Sequence, residues 1–136
     1  MDLDIDTGNA HDLDTHGTGW LVGFGPWTVP SASGLRHVPR DQPVAGLCVK
    51  WYEHPVGHDS GNDKPVSEGR TISLLVSAEA SFRIEFSRTP GFEPEGLRSI
   101  VLRREGDYVA WGAGLYHRWH CERRSTIVTV RWNPSA

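Results

Sequence analysis

The residues best suited to chemistry lie in one stretch near the C-terminal end, GDYVAWGAGLYHRWH, residues 106–120. It places His117 three residues after Gly114 and among aromatic side chains. An imidazole titrates near neutral pH and also binds metals, so His117 is a candidate general acid or base, metal ligand or buried structural residue. The residues leave these three roles open, and we slightly favour the catalytic role without a metal.

The elements that would position this histidine are predicted to be strands. Residues 81–86 alternate strictly between apolar and charged side chains, and no long stretch has a helical period. Short strands separated by turn-rich segments are typical of an all-β sandwich or barrel. Strands are predicted at residues 44–52, 71–76, 81–86, 100–102, 108–111, 115–121 and 126–132.

The spacing around His117 resembles the second sequence motif of the cupin superfamily, G(X)5PXG(X)2H(X)3N. Gly106, Gly114 and His117 occupy the matching positions, whereas Gly112 replaces the proline and Cys121 the asparagine. The resemblance covers roughly residues 44–132. It implies an all-β, cupin-type double-stranded β-helix, which is a jelly-roll barrel with a pocket inside.

The same resemblance implies that the first cupin motif, which supplies two histidines and a glutamate to a metal, is degenerate here. Counted from Gly57, its histidine positions fall near Asp63 and Pro65, and its glutamate position falls at Gly69 or Arg70. The chain contains no His-x-His sequence. Neither a proline nor an arginine side chain suits a metal cage. We therefore expect no cofactor and no oxygenase chemistry.

A rebuilt metal site stays open as an alternative, since imidazole and carboxylate ligands suit divalent Fe, Mn, Ni or Zn. The simpler interpretation treats His54 and His58 as loop histidines. If a divalent transition metal is bound, the expected ligands are His117, His54, His58, Asp63 and Glu68.

The pocket is expected to take a small organic ligand that is anionic or aromatic. An inward arginine would pair with an anion, and tryptophans suit a planar molecule. The alternative for the arginines is a surface position beside a glutamate, and alternation leaves the inward face of the last strand open. The residues predicted to line the pocket with His117 are Tyr52, His54, Arg70, Trp111, Trp119 and Arg131.

Length and composition restrict the class of protein. We expect an acidic, flexible N-terminal tail over residues 1–18 and a single domain over residues 19–136. A net charge of −3 gives no reason to expect nucleic acid as a partner. No apolar run approaches the roughly 20 residues that span a bilayer, and no signal peptide is visible. We expect a cytoplasmic protein with no membrane partner, and Cys48 and Cys121 as reduced, small core residues.

These features favour a metal-independent or atypical-metal enzyme of small-molecule metabolism. His117 would act as acid or base in an isomerisation, cyclisation or dehydration, which are isomerase- or lyase-type reactions. The alternative is a non-catalytic barrel that binds or senses a small ligand, because one fold hosts many functions. The resemblance also implies a homodimer, with the N-terminal tail and the segment of residues 20–27 as candidate exchanged edges.

Overall fold

The computed structural model of the chain describes residues 3–15, 17–24, 36–37 and 44–134. Those ranges contain two short 3-10 turns and no α-helix, hence no helix that is long and apolar enough to cross a membrane. The candidate exchanged segment of residues 20–27 lies partly outside the described residues. The strands are β1 (Ile5–Asn9), β2 (Val22–Gly23), β3 (Arg36–His37), β4 (Ala45–His54), β5 (Arg70–Leu75), β6 (Ser81–Ser87), β7 (Arg98–Leu102), β8 (Asp107–Trp111), β9 (Tyr116–Arg123) and β10 (Ser125–Asn133).

The strands form two antiparallel sheets and one short parallel pair. The larger sheet has the order β1-β8-β5-β10-β4, and the smaller sheet has the order β7-β6-β9. Strands β2 and β3 make the parallel pair. Neighbouring strands are often distant in sequence, as where β8 lies between β1 and β5, which is typical of a jelly roll. The predicted all-β jelly-roll fold is confirmed.

All seven strands predicted from the sequence are present, and their ends differ from the prediction by at most two residues. The physical reason is visible in β6, where Phe82, Ile84 and Phe86 are buried while Arg83 and Glu85 remain partly exposed. Residues two apart share a face of a strand, so the apolar set faces the opposing sheet. The main core lies between the two sheets and includes Leu75, Val109 and Ile127 from the larger one.

The N-terminal segment corrects the expectation of a flexible tail over residues 1–18. Ile5–Asn9 is a strand that pairs with β8 along its whole length, with Ile5 opposite Trp111. The Asn9 amide donates to the Glu105 carbonyl at 3.0 Å and to Asp107 Oδ1 at 2.9 Å. An edge strand needs mainly backbone hydrogen bonds and a few apolar contacts, so an acidic composition does not exclude one.

Strand β4 is the last strand of the larger sheet among the described residues, and nine of its ten residues are exposed. Leu47, Val49 and Trp51 project from one face, with exposed fractions of 51%, 66% and 69%. Cys48 is also exposed, which corrects its prediction as a core residue, whereas Cys121 is buried as expected. A long apolar edge strand is unusual on a monomer, because its unpaired backbone groups can bind another chain.

Candidate functional site

His117 lies on β9 with its side chain inside the barrel, where it is 8% exposed. Its ring centroid is 5.1 Å from that of Trp111 and 6.3 Å from that of Phe86. Arg118 points to the other face of β9, where it donates to Glu85 Oε1 at 2.7 Å. The predicted alternation of β9 is therefore confirmed, with His117 inward and Arg118 outward.

Ser67, in the loop before β5, forms a hydrogen bond with the His117 ring. Trp111 Nε1 donates to Ser67 Oγ at 3.1 Å, and Ser67 Oγ is 3.2 Å from His117 Nδ1. Since an indole nitrogen only donates, the serine oxygen accepts that bond and makes its second bond with Nδ1. His117 Nε2 has no hydrogen-bond partner among the described residues, so it is the nitrogen available to a ligand.

Both inward histidines are neutral at pH 7. Burial lowers the pKa of His117 to about 4, and the positive charges of Lys64, Arg131 and Lys50 add to this effect. Burial also lowers the pKa of His54 to about 4, with smaller contributions from His58 and Lys50. An apolar environment disfavours the charged imidazolium, and nearby cations disfavour it further.

The cavity beside His117 has an outer and an inner part. The outer part, with a volume of about 400 Å³, is lined by Lys64, Ser67, Glu68, His117 and Arg131 among others. The inner part, of about 40 Å³, shares Lys64, His117 and Arg131 with it and extends into the barrel. Its walls combine hydroxyl groups with aromatic rings, contributed by Thr71, Ser73, Thr129, Tyr52, Phe82, Trp111 and Trp119.

Three cationic side chains from separate parts of the chain converge on this cavity: Lys50 on β4, Lys64 in the loop before β5, and Arg131 on β10. None of them forms an ion pair with a described residue. Burial lowers the pKa of Lys64, and the charges of Lys50 and Arg131 lower it further. Glu68, in the outer part, is the one carboxylate among the described lining residues, so the cavity carries excess positive charge.

The structure brings together most of the residues predicted to line the pocket. Tyr52, His54, Trp111, Trp119 and Arg131 all line the inner cavity with His117. The inward face of the last strand is also decided, since Ile127, Thr129 and Arg131 line the cavity, whereas Trp132 packs in a separate core cluster. Whether these residues bind a ligand remains a prediction.

Arg70 is a correction to the predicted pocket. Its neighbours Thr71 and Ser73 line the cavity, so Arg70 lies at the alternate position of β5 and faces away. Its Nη1 donates to Asp4 Oδ2 at 3.0 Å, which joins β5 to the segment before β1. The cupin alignment placed Arg70 at a ligand position, but the observed register of β5 moves that position to the opposite face.

His54 and His58 form a pair at the end of β4. Their Nδ1 atoms lie 2.9 Å apart, and the Tyr52 ring stacks on His58 at a centroid distance of 5.5 Å. Trp119 contacts both imidazoles edge-on, at 4.6 Å from His54 and 4.8 Å from His58. His54 is only 5% exposed, so its interpretation as a loop histidine is corrected: it is a buried strand residue.

The donor set around His117 does not fit a divalent metal. Among the residues that the structure describes, no three His, Cys, Asp or Glu side chains are grouped so that they could hold an ion. The Nδ1 atoms of His54 and His58 face each other, and that of His117 faces Ser67. The cations around the cavity would also repel a metal ion. Asp63 is exposed and does not line either part of the cavity, and Glu68 lines only the outer part.

Sequence reasoning missed Lys50, Lys64 and Ser67. Lys50 shares the face of Tyr52 and His54 on β4, so alternation alone could have placed it in the pocket. Lys64 and Ser67 lie between β4 and β5, where no periodic pattern indicates the direction of a side chain.

No family model matches the chain, and no curated protein sequence matches it. A solved cupin domain from Bordetella pertussis Tohama I is similar in structure at 12% identity and a TM-score of 0.40, over 64% of this chain and 81% of that one. The hydroxypropylphosphonic acid epoxidase from S. wedmorenis is similar at 10% identity and a TM-score of 0.43, over 73% of this chain and 60% of that one. At these values neither likeness carries an activity to this chain. The jelly-roll assignment rests on the strand order of the chain itself, which agrees with the cupin resemblance of its sequence.

Proposed function

We propose that the chain binds a small organic anion in the barrel cavity and that His117 transfers a proton to or from it. The reaction class would be an isomerisation or elimination that needs no metal. The observation that carries this proposal is a buried, neutral His117 beside Lys50, Lys64 and Arg131, none of them ion-paired to a described residue. Electrostatic attraction would hold the acid group of the ligand, and Nε2 of His117 would face the rest of the molecule.

His117 becomes a stronger base only when an anionic ligand offsets the positive charges around it. In the free protein the surrounding cations contribute to its low pKa. A bound anion offsets those charges, so the pKa of His117 rises and the imidazole accepts a proton more readily. Lys64 and Arg131 would then stabilise negative charge that develops on the ligand during proton removal. Ser67 is a positioning residue, because it contacts His117 Nδ1 and fixes the ring.

A non-catalytic binding or sensing role is the second candidate. It is favoured by the same low pKa, since a base that titrates at about 4 is weak unless a ligand changes it. It is also favoured by the Trp111–Ser67–His117 chain of contacts, which would equally keep a buried polar residue satisfied. Both candidates share the anion site and differ only in what His117 does.

The first experiment is a thermal-shift screen of small organic acids at pH 7.5, followed by NMR detection of turnover or of exchange of C–H protons with solvent. We expect at least one acid to stabilise the protein. Arg131→Gln should weaken that stabilisation, because it removes a cation from the cavity wall. Arg103→Gln, at an exposed turn between β7 and β8, is the matched control and should leave it unchanged.

His117→Gln separates the two candidates. Loss of a general base typically slows a reaction by about 10²–10⁴-fold, while a glutamine of similar reach preserves much of the ligand binding. Proton transfer by His117 is rejected if the variant turns the ligand over at the wild-type rate. Binding without turnover or proton exchange in the wild-type protein would establish the sensing role instead. Failure of every acid to bind would reject both.

A further inference from the structure

The number of cations around the cavity indicates the charge of the ligand. Lys50, Lys64 and Arg131 all line the inner cavity, and each lowers the pKa of His117. The charges of Lys50 and Arg131 also lower the pKa of Lys64, so the three groups share one region of positive potential. A single carboxylate would leave most of this charge uncompensated, because like charges that line one cavity repel one another.

The hydrogen-bond donors lead to the same conclusion. Arg131 uses Nε to donate to Thr71 Oγ1 at 3.3 Å, which orients the guanidinium and leaves its terminal nitrogens free of described partners. Each lysine adds up to three N–H donors. One carboxylate offers about four acceptor positions, fewer than these groups can fill. A second acid group, or the three oxygens of a phosphate-type group, matches the donor set better.

Resting on the proposed function, we infer that the ligand of this cavity is a dianion, either a dicarboxylate or a phosphate- or phosphonate-type acid. Its two negative charges would be shared among Lys50, Lys64 and Arg131, with the body of the molecule in the outer part of the cavity. His117, which lines both parts, would contact the ligand between its charged end and its body.

Two pairs of probes test this inference, because the members of each pair differ in charge and hardly in shape. Succinate is compared with succinamate, and phenylphosphonate with benzenesulfonate, by titration calorimetry at pH 8.5 and low salt. We expect at least one dianion to bind about tenfold more tightly than its monoanion partner. The pair that shows the difference identifies the acid type, dicarboxylate or phosphonate.

Lys64→Gln is the variant that makes the comparison specific to this site. It should weaken dianion binding more than monoanion binding and so reduce the preference for the dianion severalfold, whereas Arg103→Gln should leave the preference intact. Equal binding of dianion and monoanion in both pairs would overturn the inference while the proposed function stands. Absence of binding by all four probes, with monocarboxylic acids bound in the screen, would overturn it as well. Absence of binding by every acid would remove the proposed function itself.

A different observation, the exposed edge of the larger sheet, carries a second proposal. We propose that β4 (Ala45–His54) pairs with β4 of a second copy of the chain. The side chains of Leu47, Val49 and Trp51 expose on the order of 400 Å², about half of what each partner buries in a stable interface. The backbone of a ten-residue edge strand adds area and hydrogen bonds to this.

The sequence of β4 is self-complementary in one antiparallel register. A two-fold axis at Val49 places Leu47 opposite Trp51 of the second copy and Val49 opposite its own counterpart. Lys50 then lies opposite Cys48 rather than opposite a second lysine. Apolar cross-strand pairs stabilise a sheet, and directly opposed like charges destabilise one.

Sedimentation velocity tests this proposal. We expect the wild-type protein to sediment with twice the mass of one chain at about 100 µM, and Val49→Lys to sediment as a monomer because it would place two lysines face to face. Trp51→Lys should also favour the monomer, because it would place a lysine opposite Leu47 of the second copy in place of an apolar pair. Ser99→Lys on β7, an edge strand of the smaller sheet, is the control and should stay dimeric. A wild-type monomer, or dimeric Val49→Lys and Trp51→Lys variants, would overturn the proposal.

Discussion

The free energy of unfolding is expected to fall as the pH drops from 6.5 to about 4, by on the order of 2–3 kcal/mol for each of His54 and His117. Both imidazoles have a pKa of about 4 in the folded chain and of 6.5 in the unfolded chain. Between these values the unfolded chain binds more protons, so acid favours unfolding. Above pH 6.5 both states are neutral at these residues, and the stabilisation is fully present.

Urea unfolding at a series of pH values from 7.5 to 4.5 measures this dependence. His117→Gln should remove about half of the slope, and His54→Gln the other half. Carboxyl groups with a lowered pKa, such as Asp59 and Asp107, lose their contribution only below their ordinary titration range. Above pH 4.5, the change in the free energy of unfolding is therefore due mainly to the two histidines. A flat dependence in that window would show that the two imidazoles are solvated rather than buried.

Removing the Phe86 ring should give the second large effect, a loss of about 3–5 kcal/mol in the free energy of unfolding. Phe86 is 0% exposed and lies directly opposite His117 in the pairing of β6 with β9. Its ring centroid is 5.0 Å from that of Trp111. Phe86→Ala would leave a void beside Trp111 and His117, so two residues that line the inner cavity would lose a packing partner as well.

The measurement is urea unfolding at pH 7.5, with Val56→Ala as the control for an apolar truncation. Val56 is 69% exposed, and its variant should stay within about 0.5 kcal/mol of the wild-type protein. Ligand stabilisation measured on the Phe86→Ala variant should also be weaker than on the wild-type protein, because Trp111 and His117 lose a packing partner. A loss below about 1 kcal/mol would mean that the core closes around the missing ring.

Much of the fold could be predicted because alternation is a local property. The sequence of β6 already shows which residues face the core. The tail could not be predicted in this way. Asp4 and Asp6 flank Ile5, and their acidity suggested disorder, yet the segment is held by β8 as an edge strand. Pairing with a distant strand supplies stability that composition does not report.

Some residues of the candidate site could be predicted from the sequence and others could not. His117 and Trp119 follow from the motif and from period 2, and both line the cavity. The inward position predicted for Arg70 was wrong because counting residues from Gly57 does not give the register of β5. A shift of one residue moves a side chain to the opposite face of the sheet. His54 and His58 pair with each other, which no spacing along the chain could indicate.

The sequence by itself determined the strands, the class of fold and the inward direction of His117, since each depends only on which side chains alternate nearby. The tertiary structure alone decided which face of β10 lines the cavity. Ile127 and Thr129 on one face and Val128 and Val130 on the other are too similar in polarity for alternation to separate them. It also decided that Lys50, Lys64 and Arg131 meet. They lie on three elements that are brought together only when β10 pairs with β4 on one side and β5 on the other, and the pairing of distant strands is a property of the whole fold.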